Sequence, residues 1–267
     1  MRRETPCLSF EGCELLAALI VKLALVTDLH ANREAVESVM AHSRSEHAGA
    51  YAFLGDFVGY GADPAWVVDL VRGHVAQGAI AVMGNHDAAV VNGPSPTMIA
   101  QARLVVDWTR QQLNESQLAF LGALPLSMAR DDCLFVHANA FAPAAWHYIQ
   151  NRLDAARSLL ATERRHTFCG HVHEPALYHL SATAKAGDFV PVPGVPIPLS
   201  PQRQWLAIPG SVGQPRDGNP AACYAMFDTT SATLTFHRVP YDVDTAGAKI
   251  RAAGLPQRLA ERLSDGS

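Results

Sequence analysis

Five short apolar runs in this 267-residue chain each end in side chains that can bind metal ions. They are Leu23–His30 (LALVTDLH), Ala50–Asp56 (AYAFLGD), Ala79–Asp87 (AIAVMGNHD), Cys133–His137 (CLFVH) and Thr167–His173 (TFCGHVH). Runs of this length, rich in Val, Leu, Phe and Ala, read as buried strands. In open α/β sheets, sites form in the crevice beyond the carboxyl ends of such strands. Asp28, His30, Asp56, Asn85, His137, His171 and His173 are therefore expected to meet along one edge of one sheet.

The spaces between the runs say what surrounds that sheet. Asn32–His47 carries Ala35, Val36, Val39 and Met40 at helical spacing. Asp63 followed by Pro64 reads as an N-cap and first helical residue, opening a helix that runs to about Gly73. Strand, helix, strand, helix, strand is the order of a layered α/β fold. From Pro96 to Leu124 the pattern turns helical after the break Asn92-Gly-Pro-Ser-Pro. This two-helix excursion at about 92–124 either lids the site or packs against the core. Leu153–Ala161 reads as a short helix. After His173, short strands at about Leu177–Ala182, Asp188–Val192, Gln204–Ile208, Cys223–Asp228 and Thr233–Val239 alternate with Pro/Gly turns. They read as a second, antiparallel-rich sheet completing a sandwich. A last helix, Asp244–Leu263, is expected to break near Gly254-Leu-Pro256. Residues 21–267 thus form one domain, with residues 1–20 a loose extension to which no function is assigned.

Composition sets limits on partners and compartment. Apolar residues make up 49% and charged residues 17%, as in a soluble globular protein. The net charge is −4, with no Lys/Arg run, so a groove tracking a long nucleic acid is not expected. The apolar stretch Leu15–Val26 is interrupted by Lys22 and is too short to span a bilayer. Glu11 and Glu14 make it a poor signal sequence. Five widely spaced cysteines without a CxxC pair fit buried thiols in a reducing cytoplasm.

Aspartate, asparagine and histidine without thiolates favour Mn, Fe, Zn or Co. Seven such donors exceed what one ion needs. With Asp56 shared, they divide evenly: Asp28, His30 and His173 on one ion, Asn85, His137 and His171 on the other. Two ions about 3.5–4 Å apart can acidify a bridging water to a pKa of about 7 and clamp an in-line displacement at phosphorus. His86, left out of the ligand set, is the candidate to protonate a departing alkoxide.

The ordered set Asp28-x-His30, Gly55-Asp56, Gly84-Asn85-His86-Asp87, His137 and Gly170-His171-x-His173 resembles the calcineurin-like metallophosphoesterase superfamily over residues 23–240. The resemblance implies a four-layer α/β/β/α sandwich of two mixed sheets flanked by helices. It also implies two transition-metal ions, divalent or trivalent, at the carboxyl strand ends, and hydrolysis of phosphomonoesters or diesters. Relative to the protein Ser/Thr phosphatases, Gly59 and Tyr60 stand where those enzymes carry an Asp and a phosphate-gripping Arg. Gly55–Pro64 and Gly210–Gly218 instead resemble small prokaryotic phosphodiesterases and diadenosine tetraphosphate hydrolases.

The expected substrate is therefore a small phosphodiester or a nucleotide, attacked by the metal-bridging hydroxide. A phosphomonoesterase acting on a small or protein substrate is the alternative, and a scaffold without catalysis ranks last. Gly210, Ser211, Arg216 and Tyr60 are candidates for substrate binding: backbone N–H groups at Gly210 and Ser211 to cradle an anion, Arg216 to grip phosphate unless Asp217 pairs with it. Trp146 and Tyr148 could stack a nucleobase or simply pack the rim.

Overall fold

In the computed structural model, residues 22–94 and 98–267 are described. The expected extension at 1–20, with Cys7 and Cys13, lies outside them, as does the start of the helical excursion around Pro96. In chain order the first half contains β1 (Lys22–Val26), α1 (Arg33–Ser45), β2 (Ala50–Phe53), α2 (Pro64–Ala76), β3 (Ile80–Ala81) and α3 (Asn85–Asn92). The helices α4 (Ala100–Gln112) and α5 (Glu115–Gly122) follow, then β4 (Ser127–Arg130), β5 (Cys133–Val136), α6 (Arg152–Leu160) and β6 (His166–Phe168). The remainder is β7 (Ala176–Ser181), β8 (Ala186–Phe189), β9 (Ile197–Pro198), β10 (Arg203–Ile208), β11 (Ala222–Asp228), β12 (Thr233–Val239), α7 (Val243–Ala252) and α8 (Gln257–Asp265).

The strands form two mixed six-stranded sheets, ordered β3-β2-β1-β11-β12-β9 and β4-β5-β6-β10-β7-β8. In the first, β1, β2 and β3 run parallel; in the second, β5, β6 and β10 do. This corrects the expectation of one sheet edge. The five metal-bearing runs divide between two sheets, three in the first and two in the second. The late strands are also shared out, since β11 pairs with β1, and β12 with β11, in the first sheet.

Alternation along β1 shows why the layers form. Leu23 and Leu25 point into the core between the sheets, with Phe135, Phe168, Trp205 and Phe227. Ala24 and Val26 point the other way, under Val36 and Val39 of α1 and Val67 and Val68 of α2. Both faces are buried, so β1 reads as an unbroken apolar run. On the outer face of the second sheet, Ala155 and Leu159 of α6 cover Val136, Leu206 and Ile208. The result is an α/β/β/α sandwich.

Asn32 caps α1 by accepting from the Ala35 N–H at 3.2 Å. Asp63 does not cap α2, because its carboxylate is drawn to Lys249 Nζ at 2.9 Å. Val105 and Val106 of α4 and Leu121 of α5 are buried, packing the helical excursion into the body of the molecule. The final helix does break, giving α7 and α8, whose Ala246, Ile250, Leu259 and Leu263 pack with Val105, Tyr60 and Trp108. No helix among the described residues is long and apolar enough to cross a membrane.

Candidate metal centre

Each strand end delivers its donors through a tight loop. Asp28 and His30 follow β1, Asp56 follows β2, Asn85 opens α3, His137 follows β5 and His171 and His173 follow β6. All seven converge between the carboxyl ends of the two sheets. Ligand-capable atoms of Asp28, His30, Asp56 and His173 lie within 4.8 Å of one another, as do those of Asp56, His137 and His171. Asp56 belongs to both groups. Asn85 Oδ1 joins the second, 3.1 Å from His137 Nε2.

The four imidazoles are locked by their outer nitrogens. His30 Nδ1 faces the Val58 carbonyl at 3.1 Å, His137 Nδ1 that of Leu54 at 2.7 Å, His173 Nδ1 that of Gln214 at 2.6 Å and His171 Nε2 that of Trp146 at 2.9 Å. A carbonyl only accepts, so each outer nitrogen carries the hydrogen and each neutral ring turns a lone pair inward. Those inward nitrogens crowd together: His30 Nε2 to His173 Nε2 is 3.1 Å and His137 Nε2 to His171 Nδ1 is 3.2 Å. Asp56 Oδ2 lies 3.3 Å from His137 Nε2 and 3.8 Å from His30 Nε2. Lone pairs and carboxylates aimed at two common points are the donor arrangement of a pair of cations, with the backbone acceptors that metal-binding histidines ordinarily have.

The electrostatics agree. Burial would raise both carboxyls, but His173 beside Asp28, and His137 with His86 beside Asp56, hold them well below the usual range. Burial and the adjoining His137 lower His171 to about 4. His137 is the exception among the neutral rings: burial would lower it, but the Asp56 carboxylate pushes it up to about 9, so a cation binding there would have to displace a proton.

The sequence profile of the calcineurin-like phosphoesterase superfamily domain matches residues 21–232. The chain belongs to the calcineurin-like phosphoesterase superfamily. It is 32% identical over 247 residues to an uncharacterised protein of Methanocaldococcus jannaschii, covering 90% of this chain and 96% of that one. A metallophosphoesterase from Sphaerobacter thermophilus is 35% identical with a TM-score of 0.83, over 93% of this chain and all of the other. A hypothetical protein from Pyrococcus horikoshii shares the fold at 16% identity, TM-score 0.74, over 93% of this chain and 99% of its own. The protein is a metal-dependent phosphoesterase, and its buried Asp/His cluster fits a dinuclear site.

In this phosphoesterase His86 sits at the edge of the cluster. Its backbone N–H donates to Asp56 Oδ1 at 2.8 Å. Its ring packs against both His30 and Tyr60, at centroid distances of 5.0 and 4.4 Å. Gly59 permits this, since a Cβ there would lie 2.7 Å from His86 Nδ1. An aromatic edge and a glycine thus hold the ring where the protein phosphatases use an acid. Burial lowers His86, with the Asp56 carboxylate opposing.

Arg216 and Tyr60 come together at the rim, with the guanidinium 5.8 Å from the Tyr60 ring centroid. Asp217 is taken by Arg238, while Arg216 donates from Nη2 to Gln214 Oε1 at 3.0 Å. Gly210 and Ser211 sit in a tightly packed, buried turn. Ser211 is fully buried, its hydroxyl donating to the Asp28 carbonyl at 2.9 Å and accepting from the Gln214 N–H at 2.9 Å. Gly210 is wedged against Cys223. The next N–H groups, of Val212 and Gly213, donate to the Thr27 and Asp28 carbonyls at 3.1 and 2.8 Å. This segment braces the Asp28 loop.

Asp87 was missed as a site residue, although it directly follows His86 in the Gly84–Asp87 block. Fully buried, it accepts N–H groups from Asp56, Phe57 and Gly84, each at 2.9 Å, and from Val58 at 3.3 Å. It ties the loop carrying Asp56 to the turn carrying Asn85 and His86. Burial and the Asp56 charge push its carboxyl up to about 7 while the donors pull against them. With both oxygens already filled by N–H groups, the carboxylate is the form that fits.

Proposed function

We propose that this phosphoesterase hydrolyses a small phosphodiester or nucleotide, with Asp56 shared between two ions of Mn, Fe, Co or Zn and His86 as general acid. The carrying observation is the double convergence of inward imidazole nitrogens on the two sides of Asp56. Asp28, His30, Asp56 and His173 would hold one ion; Asp56, Asn85, His137 and His171 the other. When bound, two such ions supply positive charge for the phosphoryl group and an acidified water as nucleophile. Hydrolysis would join that water oxygen to phosphorus as the ester P–O bond breaks, and His86 would give the departing alkoxide its proton. A phosphate anion entering beside His86 raises that imidazole, favouring the protonated form it must have. Arg216 offers a buried Nε–H that lacks a hydrogen-bond partner, suited to a phosphoryl oxygen. Tyr60 fixes its position.

Two variants test the reading on Mn-loaded protein. Asp56→Asn is expected to abolish hydrolysis of bis-p-nitrophenyl phosphate and to reduce bound metal; retained activity would refute the shared-ligand scheme. His86→Ala is expected to cost about 10²–10⁴-fold on dialkyl esters but far less on p-nitrophenyl esters, whose leaving group departs without a proton. Equal losses on both would remove the general-acid role. Comparing p-nitrophenyl phosphate with the bis ester separates monoesterase from diesterase.

A further inference from the structure

The loop between His137 and α6 is an irregular stretch held rigid by bonds that the hydrolytic scheme does not use. Asn139, fully buried, binds both of its ends: its Nδ2 donates to the His147 carbonyl at 3.0 Å and its Oδ1 accepts from the Ala142 N–H at 2.8 Å. The Ala140 N–H donates to Ser158 Oγ of α6 at 2.9 Å. Ile149 is buried in the core under that helix. Between these anchors Trp146 adopts the left-handed conformation, φ 55° and ψ 32°. Such a backbone costs a non-glycine residue about 1–2 kcal/mol and persists only where surrounding contacts impose it. Here it aims the Trp146 carbonyl at His171 Nε2.

The side chain that this backbone presents is Tyr148. Its ring stacks on His171, with centroids 4.0 Å apart and planes 15° from parallel. Yet Tyr148 is 46% exposed. A ring with one face on a locked imidazole, both sequence neighbours immobilised and nearly half of its surface open has already lost much of its rotamer freedom. Packing alone accounts for the inner face and leaves the outer one unexplained.

We propose that Tyr148 is a stacking shelf for a nucleobase, so that the substrate is a nucleoside phosphoester whose phosphate lies at the metal centre and whose base lies on the outer Tyr148 face. The shelf is sequence-tolerant, since every base has a π-face. The inference rests on the phosphoester reading above, and direct binding separates its failure from that of the reading.

The experiment is calorimetric titration of Mn-loaded protein with AMP and with ribose 5-phosphate, which differ only in the base. A base on the shelf makes AMP bind about 5- to 150-fold more tightly. In Tyr148→Ala that ratio should fall to near one, while Tyr148→Phe, which keeps the π-face, retains most of it. Equal affinities in the unaltered protein, or a ratio that survives Tyr148→Ala, overturn the shelf. So does a parallel weakening of both ligands with the ratio unchanged, because it would mean that Tyr148 only props His171. Binding of AMP through Tyr148 without hydrolysis of any ester overturns the catalytic reading and leaves the shelf standing.

Discussion

Gly84→Ala puts the proposed geometry at risk with a single methyl group. Gly84 has φ −99°, which any residue can adopt, so the substitution introduces no backbone strain of its own. Its Cβ, however, would lie 2.2 Å from both the backbone nitrogen and Oδ1 of Asp56. Ordinary contact requires Asp56 to retreat by about 1 Å. Retreat is opposed, because the Asp56 N–H is bonded at 2.9 Å to Asp87, which also holds the Gly84 N–H, and moving away from Gly84 would stretch that bond. Metal–ligand distances tolerate about 0.2 Å, and a 1 Å misplacement costs about 10²-fold in rate. The shared ligand should therefore fail for both ions together. Expected for Gly84→Ala are fewer than one Mn bound per chain by elemental analysis and a fall of at least about 10²-fold in kcat/KM on bis-p-nitrophenyl phosphate. Saturating a site at about 100 Kd is worth about 2.7 kcal/mol, or about 5–10 °C in Tm for a domain of this size; the variant should lose this Mn-dependent rise. The control is Gly73→Ala in α2, where a Cβ meets nothing within 4 Å and helix propensity predicts a gain of about 0.5–1 kcal/mol. Two bound Mn with activity within about threefold of the parent in Gly84→Ala would show that Asp56 is not the shared ligand.

Three other perturbations follow from the same structure. Asp87→Asn turns an amide NH₂ toward N–H groups that now find a carboxylate oxygen; it should cost about 3 kcal/mol or more in urea denaturation, and a cost below about 1 kcal/mol would contradict the anchoring role. Leu263→Ala hollows the packing of α8 against Tyr60, while the Gly218 N–H to Gly266 carbonyl bond ties the Arg216 loop to the same helix end; KM should rise more than kcat falls, with metal content unchanged. His166 is held neutral by burial, which lowers it to about 4, beside Phe227. Below its unfolded pKa of about 6.5 the unfolded chain takes up a proton that the folded protein refuses. Stability should drop by roughly 2–3 kcal/mol between pH 7 and pH 4 through this group, and His166→Leu should flatten that part of the urea-midpoint profile; an unchanged slope would show that His166 does not contribute.

The candidate donors were legible because each is a short motif fixed to the end of an apolar run, and motif identity survives ignorance of topology. Sheet membership was not legible. Strands such as β1 and β11 are buried on both faces, so their periodicity says nothing about which neighbour they pair with. Only the long-range registers, β1 with β11 and β6 with β10, decide it. The surroundings of Gly210 and Ser211 were illegible for a related reason. A glycine-rich turn advertises N–H groups, but the sequence cannot show that the carbonyls of Asp28 and Thr27, some 183 residues earlier, already hold the Ser211 hydroxyl and the N–H groups of Val212 and Gly213. Asp63 lost its cap to Lys249, 186 residues away. Asp87 looked like one more acid in an acidic motif, whereas its work is done by backbone N–H groups that no residue type reveals.

The backbone of the site explains why so much of the loop chemistry is devoted to bracing. Of the seven proposed ligands, Asp28, His30, Asp56, His171 and His173 have positive φ, between 45° and 70°. At about 1–2 kcal/mol each, these left-handed residues together cost as much as many domains have in total stability. The loops offset this by bonding to each other. The N–H groups of Asp28, His30 and Ala31 donate to the carbonyls of Gly55, Asp56 and Phe57 at 2.9–3.1 Å, extending the β1–β2 pairing past the strand ends. Gly213 holds the Asp28 carbonyl, and the Gly170 N–H donates to the His137 carbonyl, crossing from one metal run to the next. Gly170 has to be a glycine, because a Cβ there would meet Thr27 Oγ1 at 1.9 Å and Asp28 Oδ2 at 2.5 Å. The strain is therefore carried by the polypeptide itself, through bonds between loops of both sheets, and the binding energy of the ions is left free for chemistry instead of being consumed in assembling their own ligands.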